Sequence, residues 1–196
     1  MSDPLLPQDD ASTPLSNEER DGLKLSYVTT RGDLNAAEQA NILRAESRYF
    51  KRRSNQVLDR DFINTLHQTM FGTVWTWAGK YRTTGKNIGV DAYRIQTDVQ
   101  ELIDDVTFWI ENNTYEPDEI AARFHHRLVA IHPYPNGNGR HARLAADLLL
   151  KEAGRPRFTW GRMNLTDAAK TRAEYVAALR AADGHDYGPL LTFVRS

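Results

Sequence analysis

Residues 132 to 143 read His132-Pro133-Tyr134-Pro135-Asn136-Gly137-Asn138-Gly139-Arg140-His141-Ala142-Arg143. Their types and spacing suit the chemistry of a phosphate. Gly137 and Gly139 can take backbone angles closed to other residues, so the peptide N–H groups around Asn138 can converge on an anion with no Cβ in the way. The run that follows, Arg140 to Lys151, has a helical pattern. The turn therefore sits at a helix N-terminus, where unpaired N–H donors and the dipole both favour negative charge. Arg140 and Arg143 are three apart and so are neighbours on one edge of that helix. A site with this many donors holds three or more oxygens, which fits a polyphosphate better than a lone sulfate. His132 precedes Pro133, which disfavours helix at the position before it, so the imidazole is expected to project from a helix end towards the turn. With an ordinary pKa of about 6.5 it can accept a proton from an attacking hydroxyl near neutral pH.

Helices must position these groups. Glu116-Pro117-Asp118-Glu119 places proline and acids where a helix start wants them, and Ile120, Phe124, Leu128 and Ile131 then form an apolar stripe leading to His132. Ala121, Ala122 and Ala130 allow close packing, so this helix should be central. His125 and His126 lie on it with no carboxylate at metal-ligand spacing, and are read as packed or hydrogen-bonded histidines. On the outgoing helix, Arg140, Arg143, Asp147 and Lys151 form one polar stripe among apolar residues. Gly154 ends it and Pro156 prevents its resumption.

Further out, Asn35 with Glu38 in the first turn starts a helix running to about Ser54, whose basic face carries Arg44, Arg48, Lys51, Arg52 and Arg53. That face reads as solvated. Asp59 to Met70 is a second helix, Thr83 to Ile95 a short β-hairpin, and Thr97 to Asn112 an amphipathic helix. Thr166 caps a final pair of helices carrying Tyr175, Leu179, Leu190 and Phe193.

At 196 residues and 40% hydrophobic content the chain is sized for one substantial core. Its 25 basic and 26 acidic side chains give a net charge of −1, which makes no general case for nucleic acid or an anionic membrane. The single basic helix lacks a recognisable DNA-recognition motif. No cysteine is present, so neither disulfides nor a thiolate metal site can form. No basic segment followed by an apolar stretch opens the sequence, and no run approaches a membrane span. The expectation is a soluble, cytoplasmic protein that acts without nucleic acid or membrane.

The 132–143 stretch resembles the signature of the Fic (fido) family, His-Pro-Phe-x-Asp/Glu-Gly-Asn-Gly-Arg-x-x-Arg. His132, Pro133, Gly137, Asn138, Gly139, Arg140 and Arg143 match, with Tyr134 in place of Phe. Asn136 stands where most family members have an acidic residue that ligates nucleotide-bound Mg²⁺. An amide oxygen can still meet a hard cation but brings no charge. The resemblance covers roughly residues 59 to 195. It is nearest to the subgroup called mobile mystery protein B, through Glu38-Gln39-Ala40-Asn41-Ile42, Arg82-Thr83-Thr84, Lys86-Asn87-Ile88-Gly89-Val90 and the Pro135-Asn136 variant of the motif.

The resemblance implies an all-α, Fic-type helical bundle with a small β-hairpin flap. With an irregular or partly disordered arm rich in Pro, Ser, Asp and Thr (1–33) and an N-terminal helix (34–58) read from composition and pattern, the resemblance leaves a Fic domain at 59–196. It further implies transfer of AMP from ATP, with Mg²⁺ or Mn²⁺, to a Ser, Thr or Tyr hydroxyl of a target protein. His132 is then the general base. Asn138 and the turn N–H groups, including those of Gly137 and Gly139, hold the α-phosphate, Arg140 the β-phosphate and Arg143 the γ-phosphate, with Asn136 as a weak metal ligand. Lys86, Asn87, Ile88 and Gly89 belong to a flap that covers the nucleotide and pairs with the target backbone. Tyr175 and Asp183 correspond to a tyrosine and a polar residue approaching base and sugar; plain core packing is the competing reading for Tyr175.

Many family members are restrained by a helix bearing Ser/Thr-x-x-x-Glu-Gly/Asn, whose glutamate ties up the arginine corresponding to Arg143. No match occurs here: Ser16 is followed four residues on by Arg20, and Thr171 by Tyr175. Restraint is then expected from a separate inhibitory partner or from weak metal binding at Asn136. Two alternatives stay open. One is a catalytically weak relative that binds nucleotide or a partner chain. The other is transfer of a different phosphate-linked group, such as phosphate, phosphocholine or UMP.

Overall fold

The computed structural model describes residues 15–162 and 168–196. Its helices are α1 (Asn17–Arg20), α2 (Arg31–Phe50), α3 (Arg60–Phe71), α4 (Ile95–Glu111), α5 (Pro117–Ile131), α6 (Asn138–Glu152), α7 (Ala168–Asp183) and α8 (Gly188–Arg195). Among the described residues there is no strand beyond one isolated bridge, Leu23 to Trp75. The fold is all-α, as expected.

One apolar core runs through these elements, from Leu15 and Val28 to Phe193 and Val194. α5 and α6 form its centre. Ala121, Ala122, Phe124 and Leu128 of α5 are buried, as are Ala142, Ala145, Ala146, Leu148 and Leu150 of α6. Small residues on the facing surfaces let the two backbones come close, so the turn joining them is fixed from both sides. α2 and α3 pack on one flank of this pair, with α4 and α8 also against α5.

The expectations for the start of the chain need correction. Residues 15–33 are not an irregular arm: α1 carries a capping box between Ser16 and Glu19, Leu15 is buried and Leu23 pairs with Trp75. α2 starts at Arg31, not after Asn35, because Thr30 and Asp33 make a reciprocal capping box. Glu38 is thereby moved from the first turn into the body of the helix, where it is buried. α2 ends at Phe50, short of Ser54. α3 runs Arg60–Phe71, one residue off the expected Asp59–Met70 at each end, with Asp59 as its cap.

The expected hairpin from Thr83 to Ile95 is absent. Residues 83–91 are an irregular loop, Ala92–Arg94 a 3-10 turn, and α4 already begins at Ile95. The loop's backbone bonds run outward to the α5–α6 connection instead of across a hairpin: Arg82 N–H donates to Pro133 O and Val90 N–H to Ile131 O. The expected cap Thr166 lies outside the described residues.

Candidate active site

The site is built on the α5–α6 turn. α5 stops at His132, whose left-handed backbone (φ 55°, ψ 59°) is followed by Pro133, which cannot continue the helix. Gly137 then opens α6 at φ 80°. Glycine is required there twice over, since a Cβ would also sit 2.6 Å from Phe71 Cζ. Gly139 differs from the expectation made for both glycines. Its backbone is helical, without a positive φ, and a Cβ there would meet only Tyr175 Oη at 3.9 Å. Packing within the chain does not demand a glycine at 139.

That helix start has no side-chain cap. The first intrahelical bond is His141 N–H to Gly137 O, so the N–H groups of Asn138, Gly139 and Arg140 have no partner within the helix. The Asn138 side chain does not join them. It is closed on the main chain of Tyr134, accepting from Tyr134 N–H at 2.9 Å and donating to Tyr134 O at 2.8 Å. Asn138 thus shapes the turn, and only its peptide N–H is left for an anion.

A second layer supports the turn from below. His67 of α3 accepts from Gly79 N–H through Nδ1 (3.0 Å), so its proton is on Nε2, which donates to Asn136 O at 3.1 Å. Its ring stacks on Tyr134 at 3.7 Å, and the Tyr134 hydroxyl donates to Asn64 Oδ1. Burial holds the His67 pKa well below 6.5 and keeps it neutral. His141 donates through Nε2 to Ile63 O, and burial likewise lowers its pKa to about 4. Nothing in the sequence pattern marked His67; its position on the buried side of α3 was the available signal.

The two arginines are held by opposite means. Arg140 is 2.7 Å from the buried carboxylate of Glu38 on α2, with its guanidinium over the Phe71 ring at 5.1 Å. Arg143 lies over the faces of Tyr175 (4.3 Å) and Trp160 (5.6 Å). Behind Tyr175 stands His125, whose Nε2 is 2.9 Å from the tyrosine hydroxyl. Tyr175 is therefore buried beneath Arg143. Asp183 belongs to a different set: it bonds His126 Nε2 at 2.8 Å, with Tyr187 Oη 3.2 Å from Nδ1 of the same ring. His125 and His126 are hydrogen-bonded histidines, as read.

His132 is only 7% exposed. Burial is the main cause of a pKa of about 4, with Arg82 and Lys86 adding positive charge and a backbone bond to Val129 opposing them. At neutral pH the imidazole is unprotonated and able to accept a proton, but it is a weaker base than its ordinary pKa of 6.5 implied.

The 83–91 loop lies over it. A Cβ at Gly89 (φ 101°) would sit 2.5 Å from His132 Cβ. Arg82, 3% exposed, fastens the loop: its guanidinium donates to His132 O (2.7 Å), Thr84 O (2.8 Å) and Val90 O, with Ile131 O at 3.5 Å. Lys86 pairs with Glu19 of α1. Asn87 and Gly89 are exposed and Ile88 half-buried. The sequence marks Arg82 only as part of a resembling stretch, and its four carbonyls are brought together only in three dimensions.

Asn136 is a poor resident metal ligand. Its Oδ1 accepts from Gly137 N–H at 2.6 Å, and among the described residues no group of three or more His, Asp or Glu could hold an ion. A neutral, already bonded amide does not make a metal site by itself. No helix among the described residues is long and apolar enough to cross a membrane.

An imidazole at a helix end, a glycine turn opening an uncapped helix and two arginines on its first turns lie together at the α5–α6 connection. The chain matches the model of the Fic/DOC family over residues 57–150, and it belongs to that family. It is 33% identical over 138 residues to Protein adenylyltransferase fic-1 of Caenorhabditis elegans, a match covering 68% of this chain and 26% of that protein. This chain thus spans about a quarter of the length of that curated relative. Its fold is similar to a Fic-1 fragment from C. elegans (27% identity, TM-score 0.63, covering 89% of this chain and 56% of that one). It is also similar to BepC, a VirB-translocated effector of Bartonella tribocorum solved with bound AMPPNP (14% identity, TM-score 0.69, covering 92% and 97%).

Proposed function

We propose that this chain transfers AMP from ATP to a hydroxyl side chain of a target protein. The observation that carries the reading is the start of α6. Three N–H groups without helical partners, Arg140 and Arg143 share one edge, and a neutral imidazole stands at the other end of the turn. The target oxygen attacks the α-phosphorus while the bond from that phosphorus to the bridging oxygen of the β-phosphate breaks. The hydroxyl proton passes to His132, and pyrophosphate leaves. The helix N–H groups stabilise charge on the α-phosphate, with Arg140 and Arg143 on the β- and γ-phosphates. Bound phosphate anions beside His132 also favour its protonated form, raising its pKa towards the range in which a base works at neutral pH. Loop 83–91 is the surface on which the target chain docks, near Lys86, Asn87, Ile88 and Gly89. No step is routed through a metal; a divalent ion would arrive on the nucleotide phosphates.

The test is label transfer from α-labelled and γ-labelled ATP onto protein in a cell lysate, with His132→Ala in parallel. Label from the α position that disappears in the variant is expected. Label from the γ position would instead identify a phosphotransferase. One observation favours a binding role without turnover: Asn136 contributes no charge and its oxygen is turned onto Gly137. ATP binding with no transfer from either position would establish that role.

A further inference from the structure

Glu38 is paired with Arg140 of the α6 edge. It lies 102 residues before Arg140, on α2, and its side chain is 4% exposed. Both oxygens are engaged. Oε1 accepts from Trp75 Nε1 at 2.7 Å and Oε2 meets Arg140 Nη1 at 2.7 Å. Trp75 is itself 2% exposed and is fixed by its bridge to Leu23. The carboxylate is thus clamped between an indole and a guanidinium.

A carboxylate on an anion-binding arginine can do one of two things. It can compete with the anion, or it can hold the arginine ready for it. A competitor must be able to leave. Glu38 sits in the body of a 20-residue helix, capped by Thr30 and Asp33 and anchored by buried Leu34, Ala45 and Tyr49. Asn41, one turn on, bonds Thr73. Nothing in this arrangement moves without disturbing the core. The bond also occupies one end of a guanidinium that has five N–H donors, and 37% of the Arg140 side chain remains exposed. Phe71 supports the ring-like face of the group. An arginine fixed at one nitrogen and along one face presents its remaining donors in a single direction, without the entropy of ordering a long side chain when the anion arrives.

We infer that Glu38 is a positioning residue that holds Arg140 in its phosphate-binding orientation, and that it is not a removable restraint. This rests on the reading of Arg140 as a phosphate ligand. Glu38→Gln is the discriminating variant: the amide oxygen can still accept from Trp75, while the amide nitrogen turns a donor towards Arg140. ATP binding to the full chain in Mg²⁺ buffer is measured by titration calorimetry for wild type, Glu38→Gln, Arg140→Ala and the double variant, with thermal midpoints alongside.

The expected result is a Kd for ATP raised about tenfold by Glu38→Gln, with no further effect of that change once Arg140 is alanine. Unchanged or tighter ATP binding in Glu38→Gln, while Arg140→Ala weakens it, would overturn the positioning role alone. Unchanged binding in Arg140→Ala would overturn the phosphate assignment and this inference with it. If Glu38→Gln does not fold, Trp75→Phe removes the indole N–H and keeps an aromatic ring. It should weaken ATP binding by about two- to threefold through the loosened carboxylate, and undiminished affinity would again count against the role.

Discussion

The turn at 136–139 and the loop at 83–91 close on His132 from two sides, and they are held in place differently. The turn is set by the interior. Gly137 faces Phe71, Asn138 is closed on Tyr134, and His67 links Asn136 to Gly79. The loop is set from its edges chiefly by polar contacts, among them the buried Arg82 guanidinium, the Val90 N–H bond to Ile131 O and an ion pair to α1. Structure fixed by many packed contacts keeps its shape when a ligand comes or goes. Structure fixed by a few polar contacts can exchange them for others, which is what a docking surface needs.

Five outcomes would break or sharpen this contrast. The largest effect is expected on catalysis: His132→Ala should reduce AMP transfer by a factor of at least about 10² while leaving ATP binding intact, read by labelled transfer beside calorimetry. Next come the two glycines. Gly137→Ala combines a positive φ with a 2.6 Å clash and should cost about 2–3 kcal/mol of stability. Gly139→Ala should leave thermal stability unchanged or slightly raised, as for glycine to alanine within a helix, yet weaken ATP binding. Equal destabilisation by both would erase the distinction drawn between them.

Arg82→Ala follows. It strips the donor from three or four carbonyls, so about 1–3 kcal/mol should be lost, and amide exchange in 83–91 should quicken. It also removes cover and positive charge from His132, whose pKa should rise from about 4. Histidine NMR titration reads that shift, and an unmoved pKa would mean that the loop does not govern the base.

The pH dependence comes fourth. His132 and His141 at about 4 and His125 at about 3 are all held down mainly by burial. Between those values and the unfolded pKa of about 6.5 the unfolded chain binds more protons than the folded one. Stability from these groups is therefore fully present above about pH 6.5 and is lost as pH falls towards 4. Thermal midpoints across that range should fall, and ATP should lift the His132 pKa while leaving His141 near its value. The smallest effect is expected from Asn136→Asp: stability within about 0.5 kcal/mol of wild type, with Mg²⁺-dependent activity raised by the new charge.

The same contrast explains what could be read from the sequence. The α5–turn–α6 unit is local: helix periodicity, Pro117, Pro133, Gly137 and the arginine spacing lie within forty residues, and all appear where expected. Loop 83–91 is rich in β-forming residues and glycine, but Val90 N–H donates to the Ile131 carbonyl, and the adjoining Arg82 N–H to that of Pro133, partners that no local pattern specifies. The start of α2 was misplaced because Asn35 with Glu38 imitates the cap that Thr30 and Asp33 make. The pairing of Glu38 with Arg140 and the support that His67 gives the turn come from contacts 102 and 69 residues away, which no local pattern specifies. Tyr175 and Asp183 share one helix, yet the structure assigns them to separate hydrogen-bond sets.

Arg82 has a thermodynamic consequence. Because one guanidinium holds Val90 O and Thr84 O of the loop as well as His132 O at the end of α5, loop and base occupy a single equilibrium. A target segment that binds better to one arrangement of the loop must bias the orientation of His132 by the same free energy. By reciprocity, a nucleotide that favours one orientation of His132 changes target affinity by an equal factor. ATP and target should therefore bind cooperatively through the Arg82 link.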